Sequence, residues 1–223
     1  MNQRRNSDVI VETVEVAGKR VIDVGCGDGG LARHLARHGA ASVLGVETSP
    51  RQLAKARAAD PVAGVTIVEG VAEHLPAEAG SADLVVFFNS LHHVPGRAQA
   101  LAEAVRVLAP GGLVYVSEPV AEGPFFEMVR PVDDETEVRA QAYDALRNAP
   151  GLTQEREFFY VHTVRLRDFA ALRERIVSAN SEREAIFAAR DAELCALFGR
   201  LATPCDDGHC FDQPMRVNVL RRP

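Results

Sequence analysis

Lysine is nearly missing from this sequence: Lys19 and Lys55 stand alone, and arginine carries almost all the positive charge. Base-composition bias accounts for that more readily than function does. A positive excess is also missing, since the formal net charge is -6. That balance argues against a protein that wraps nucleic acid electrostatically, so no nucleic-acid partner is expected. No apolar run reaches the roughly 20 residues of a membrane span, so no membrane partner is expected either. The opening residues, Met1-Asn-Gln-Arg-Arg-Asn-Ser-Asp8, are polar and lead into no long apolar segment, unlike a secretory leader. A cytoplasmic location is the expectation. Cysteine is scarce too, with Cys26, Cys195, Cys205 and Cys210 the full set. Cys205 and Cys210, with His209 beside them, are spaced more widely than a zinc knuckle, and no second pair lies nearby. Neither a metal nor a disulfide is expected there, and all four cysteines read as reduced thiols.

What is present is the composition of an ordinary globular domain, 47% hydrophobic and 25% charged. Its organising stretch is Arg20 to Gly30. Val21, Ile22 and Val24 form the short apolar run of a strand buried on both faces. Gly25, Gly27 and Gly29 follow, where the backbone can take positive φ and approach a ligand without Cβ clashes. Asp28 reads as the N-cap of a helix carrying Leu31, Leu35 and Ala36. A strand, a glycine turn and a helix N-terminus make a cradle of backbone N–H groups suited to a nucleotide.

The pattern then repeats. Ser7 to Ala17 reads as a lead-in helix. Ser42 to Glu47 is a second strand, followed by Ser49 and Pro50 as the start of a helix. Val65 to Glu69 and Ala82 to Phe88 are the third and fourth strands, and Leu113 to Glu118 is the fifth. Leu101, Val105 and Leu108 mark the helix before that fifth strand. Strands alternating with helices signify a doubly wound parallel sheet. Beyond residue 120 the pattern loosens. The acidic run Asp133 to Glu137 opens a helix through Leu146, as suits the helix dipole. Phe158 to Arg165 is rich in strand formers, with Tyr160 and His162 on one face. Two helical stretches follow across residues 168–202, and Met215 to Leu220 reads as a last strand.

Two ligands fit the glycine turn. Gly25-x-Gly27-x-x-Gly30, with Glu47 about 20 residues on, satisfies the dinucleotide fingerprint and would suit an NAD-linked oxidoreductase. The fuller stretch Asp23-Val-Gly25-Cys-Gly27-Asp-Gly29 resembles the first motif of class I S-adenosylmethionine-dependent methyltransferases. Val46-Glu47-Thr48-Ser49 resembles their second motif, and Glu69-Gly-Val71-Ala72-Glu73-His-Leu-Pro76 their third. Asp83 through Val94 resembles the fourth, and Arg106 to Gly112 the loop before the fifth strand. Five motifs in order resemble most the small-molecule methyltransferases grouped as type 11. The resemblance implies a Rossmann-like α/β fold with a seven-stranded sheet whose last strand is antiparallel, and S-adenosylmethionine as cofactor.

It also implies site residues. Asp23 lies near the cofactor's ammonium, often acting through water. Gly25, Cys26, Gly27 and Gly29 accommodate the methionine moiety. Glu47, with Thr48 beside it, accepts hydrogen bonds from the ribose hydroxyls. Ala72 and Glu73 frame the adenine. Where the family often has an aspartate for the adenine amino group, this chain has Val71, so that contact falls to a backbone group or to Glu73. Asn89 and Ser90 line the sulfonium and substrate. Methyl transfer is an in-line displacement in which the protein orients partners and excludes water. If the acceptor must lose a proton, His93 is the candidate base; otherwise it shapes the pocket wall. His92 and Glu118 are candidate acceptor contacts, with capping of the loop that follows the fifth strand the other reading of Glu118.

The expectation is therefore a single methyltransferase domain over 1–223: a cofactor-binding core at 1–119, a connecting helix and sixth strand at 120–167, a helical insertion serving as substrate cap or dimer surface at 168–202, and a loop with the last strand at 203–223. The partner is a small-molecule methyl acceptor, and the protein is a monomer or homodimer. A catalytically silent S-adenosylmethionine-binding subunit and the NAD-linked oxidoreductase are the alternatives.

Overall fold

The computed structural model describes residues 5–206 and 208–223. In chain order its elements are α1 (Asn6–Thr13), β1 (Arg20–Val24), α2 (Gly30–Arg37), β2 (Ser42–Glu47), α3 (Pro50–Ala58), β3 (Val65–Glu69), β4 (Ala82–Phe88), a 3-10 turn (Leu91–His93), α4 (Arg97–Val107) and β5 (Leu108–Pro119). There follow α5 (Pro124–Val129), α6 (Thr136–Arg147), β6 (Thr153–Leu166), α7 (Phe169–Ala179), α8 (Arg183–Leu201), β7 (Thr203–Cys205) and β8 (Gly208–Arg221).

The sheet runs in the order β3-β2-β1-β4-β5-β8-β6, with β7 paired to β8 off that path. The strands from β3 to β5 are parallel neighbours. β8 runs antiparallel, because Arg222 at its end exchanges backbone hydrogen bonds with Gly111 and Gly112 at the start of β5. Seven strands with a reversed last one is the sheet the motifs imply; the β7–β8 hairpin is an addition. β1 and β4 are buried along nearly their whole length, which is why they read as unbroken apolar runs.

The chain divides into two compact units. One comprises residues 5–118, 138–159 and 216–223. Its core gathers Val85, Phe87, Leu101, Val107, Val114 and Leu146 around the central strands. The other comprises residues 119–137 and 160–215, and its core sets Phe125, Phe187, Phe198 and Phe211 among aliphatic side chains. There Phe198 packs against Phe211 and Phe169, with ring centroids 5.1 and 5.8 Å away. Arg183 pairs with Asp133, and Arg190 donates to the Pro131 carbonyl at 2.9 Å. α8 is kinked at Arg190, where φ is -126°.

Four local expectations are corrected. α1 stops at Thr13, because Val14 is extended (φ -129°) and β-branched residues favour that state. Asp28 is not the N-cap of α2: Gly29 takes that place at φ 76°, and Asp28 instead accepts the Gly30 N–H at 2.9 Å. β5 begins at Leu108, five residues early, because the Pro110-Gly111-Gly112 segment pairs with the end of β8. Cys205 and Cys210 are joined in a disulfide, since the hairpin brings their Cα atoms to 6.0 Å, within bridging reach.

Candidate functional site

The register of the parallel strands assembles the site. Val24 at the end of β1 lies opposite Val46 of β2 and Phe87 of β4, and Glu47 lies opposite Glu69 of β3. Four carboxyl ends thus share one edge, where the strand order reverses between β1 and β4. Open α/β sheets hold ligands at such a switch point. A cavity of about 350 Å³ opens there. Gly25, Gly27, Glu47 and Thr48 line one part of it, and Ala72, Glu73, Asn89, Ser90 and His93 line another.

The glycine turn is held from two sides. Gly25 and Cys26 donate their N–H groups to the Val46 carbonyl at 2.8 and 3.1 Å. Gly27 donates to Glu47 Oε2 at 2.7 Å, while Oε1 of the same carboxylate accepts from Thr48 and Ser49 at 2.9 and 2.8 Å. Gly25 has φ +72°, and a Cβ there would lie 2.6 Å from the Ser90 Cβ. A Cβ at Gly27 would meet no protein atom within 4 Å. Ser49 accepts the Gln52 N–H at 3.4 Å and so starts α3.

Behind the turn lies Asp23, 1% exposed, whose Oδ2 has no hydrogen-bond partner. Burial, then the charge of Glu47, pushes its carboxyl up to about 7. The Cys26 side chain packs over Gly45. Burial, then the Asp23 and Glu47 charges, pushes its thiol up to about 12. Asp23, Cys26 and Gly29 do not line the cavity.

Past β3, Ala72 is buried and Glu73 is fixed by accepting the Gly96 N–H at 2.8 Å. Val71 is 46% exposed and stands off the lining. Past β4, Asn89 takes φ 54°, rare for a residue with a side chain, and donates its N–H to the Ser117 carbonyl at 2.8 Å. Ser90 Oγ donates to the Val24 carbonyl at 2.6 Å. Glu118 Oε1 accepts the N–H groups of Ser90 and Leu91 at 3.1 and 2.8 Å, and its Oε2 accepts the Nδ1–H of His92. Glu118 and His92 are 5% and 4% exposed and lie off the lining, and Glu118 caps the preceding 90–92 turn in place of the expected loop after β5. The His92 ring lies 3.9 Å, centroid to centroid, from that of His93, which does line the cavity.

Gln52, Gly70, Val94 and Pro95 also line the cavity. They are ordinary residue types in sequence. The one signal pointing to Gln52 is its place in the first turn after the Ser49 cap. Tyr160 and His162 are half-buried on β6 and not part of this lining.

Comparison with known proteins finds methyltransferases. The family model described as a methyltransferase domain matches residues 22–116. The chain is 42% identical over 113 residues to the ubiquinone biosynthesis O-methyltransferase of Ralstonia nicotianae, covering 49% of this chain and 47% of that protein. It is 33% identical over 160 residues to the methyltransferase GfsG of Streptomyces halstedii, covering 68% of this chain and 57% of that protein. The chain thus spans about half the length of the curated relatives it matches. Among solved structures, the [4+2]-cyclase SpnF shares the fold at 23% identity with a TM-score of 0.67, over 97% of this chain and 80% of that one. The fold alone therefore does not name a chemistry. Among the described residues no helix is long and apolar enough to cross a membrane. With four of the five motifs on adjacent strand ends and the methyltransferase domain matched across all five, residues 22–116 are similar to the class I S-adenosylmethionine-dependent methyltransferases.

Proposed function

We propose that this protein transfers a methyl group from S-adenosylmethionine to a hydroxyl oxygen of a small organic acceptor. The observation that carries this reading is one cavity lined both by the Glu47 carboxylate and glycine turn and by the His93 imidazole. The residues fit the cofactor. Asp23 offers a buried carboxyl oxygen without a partner for the ammonium, directly or through water. Glu47 uses one oxygen on Gly27 and the other on Thr48 and Ser49, and a carboxylate has lone pairs left for the ribose hydroxyls. Ala72 and Glu73 frame the adenine, and Asn89 and Ser90 flank the reacting end. When bound, the cofactor supplies an electrophilic methyl on a sulfonium. The chain's part is to orient the acceptor, exclude water and, at His93, take the hydroxyl proton. The oxygen acceptor draws support from the relatives named ubiquinone biosynthesis O-methyltransferases.

Calorimetric titration with S-adenosylhomocysteine and with NAD tests the cofactor, and methyl-labelled S-adenosylmethionine with a panel of phenols and alcohols tests the transfer. Binding of S-adenosylhomocysteine, label in an ether product and a loss of turnover in His93→Ala at unchanged cofactor affinity are the expected results. Binding of NAD alone would overturn the reading. Cofactor binding with no transfer to any acceptor would favour the silent subunit.

A further inference from the structure

Glu118 is a buried carboxylate that does not line the cavity. Burying such a charge is costly unless hydrogen bonds replace its water. Here Ser90, Leu91 and His92 supply them: two backbone N–H groups reach one oxygen, and the imidazole Nδ1–H reaches the other. All three donors belong to one tight turn of the chain, and that turn carries two residues of the cavity wall. Ser90 is pinned from its other side by the Val24 carbonyl at 2.6 Å and lies over Gly25, where a Cβ would come within 2.6 Å of it. His93 N–H closes the turn on the Ser90 carbonyl at 3.1 Å, and its ring lies against the His92 ring. The His92 carbonyl is in turn held by Arg97 Nη2 at 2.7 Å. The turn is thus fixed at its amides, at its first side chain and at the His92 ring.

We propose that Glu118 is a positioning residue, acting through the Ser90–His92 turn to set the placement of the His93 imidazole in the cavity. Glu118 reaches the acceptor chemistry only through that turn; the cofactor's ribose and adenine are held by other strand ends. This rests on the methyltransferase reading for its kinetic consequence, though not for its structural one. An amide at position 118 has one acceptor oxygen where the carboxylate has two. Glu118→Gln therefore keeps size and can no longer accept both the backbone pair and the His92 Nδ1–H. His92→Asn retains a side-chain donor near the Nδ1 position, and His92→Phe removes it.

The test compares the full-length wild type with Glu118→Gln, His92→Asn and His92→Phe by three readouts: S-adenosylhomocysteine calorimetry, proton–nitrogen NMR of the histidine rings, and single-turnover methyl transfer to whichever panel acceptor the wild type uses. In Glu118→Gln we expect the hydrogen-bonded His92 Nδ1 proton to vanish, the His93 ring signals to shift, S-adenosylhomocysteine affinity to change less than threefold and transfer to slow tenfold or more. His92→Phe should behave likewise, and His92→Asn should recover part of the rate. Should Glu118→Gln not fold, the two His92 variants decide, because they leave the backbone bonds of Glu118 in place. Unmoved His93 signals, an unchanged transfer rate, or cofactor affinity falling as far as the rate would each overturn the proposal. If the wild type transfers no methyl to any acceptor, the functional reading fails, while the NMR comparison still decides the clamp.

Discussion

The carboxylate of Glu47 accepts the Gly27 amide hydrogen at 2.7 Å, across the gap between the end of β2 and the middle of the glycine turn. Beyond the ribose contact proposed for it, the second-strand acid holds the turn in shape. Removing it should weaken the site twice, by the lost ribose acceptor and by the loosened turn. Glu47→Ala is expected to reduce S-adenosylhomocysteine affinity by at least tenfold, about 1.4 kcal/mol. Glu47→Gln, which retains one acceptor oxygen, should lose less. Calorimetry measures both, and equal affinity for wild type and Glu47→Ala would remove Glu47 from the site.

Asp23 makes the ligand-free protein sensitive to pH. In an unfolded chain its carboxyl loses a proton near pH 4, about 3.9 in model peptides. In the native state it holds that proton until about 7, because of burial and then the charge of Glu47. Across that window the native form binds more protons than the unfolded form, so stability falls as pH rises and levels off above it. Thermal unfolding between pH 4.5 and 8 should show this decline, and Asp23→Asn should flatten it. An ammonium-bearing ligand prefers the ionised form, so S-adenosylhomocysteine affinity should rise from pH 6 to pH 8. An identical pH dependence in Asp23→Asn would assign both effects to another group.

Gly25 and Gly27 differ in what a methyl group would meet. At Gly25 it would press on the Ser90 Cβ at 2.6 Å with φ at +72°; at Gly27, with φ +57°, it would touch no protein atom. Left-handed backbone costs an L-residue about 1–2 kcal/mol at either position. Gly25→Ala should lose that and more, because Ser90 is held on two sides. Gly27→Ala should lose little beyond the strain while still lowering S-adenosylhomocysteine affinity, since Gly27 lines the cavity. Chemical denaturation paired with calorimetry separates the two; equal destabilisation would contradict the assigned packing.

The Cys205–Cys210 bridge spans a sequence separation of 5. Closing so short a loop is worth roughly 2 kcal/mol in the chain-entropy account. Reduction, or Cys205→Ser, should lower unfolding stability by no more than about that amount. Cofactor affinity should stay the same, because neither cysteine lines the cavity. Mass spectrometry with and without reductant verifies the bridge; free thiols in the unreduced protein would refute it.

Much of the site is legible in sequence because it stands at strand ends. Val21–Val24 and Leu84–Phe87 are runs that only a doubly covered strand explains, and each is punctuated by glycine, acid or asparagine. Other parts are legible only in space. Glu118 and His92 are 26 residues apart and meet because Phe87 of β4 pairs with Val116 of β5. Nothing local in either segment announces the pair, so both look like free polar residues facing a ligand. β7 escapes notice because it is three residues long and contains Pro204. α5, at six residues, is too short for a helical period to show. Pro95 and Val94 are residue types that any loop uses.

The place of β8 sets an order of events for the growing chain. It is the last strand in sequence, yet it lies between β5 and β6. As the polypeptide leaves the ribosome, β5 and β6 emerge first and cannot pair with each other in the finished arrangement; a slot one strand wide must remain. The final strand then enters that slot, bringing Arg222 onto Gly111 and Gly112. The cavity lining, whose residues all precede 96, is synthesised long before the slot closes.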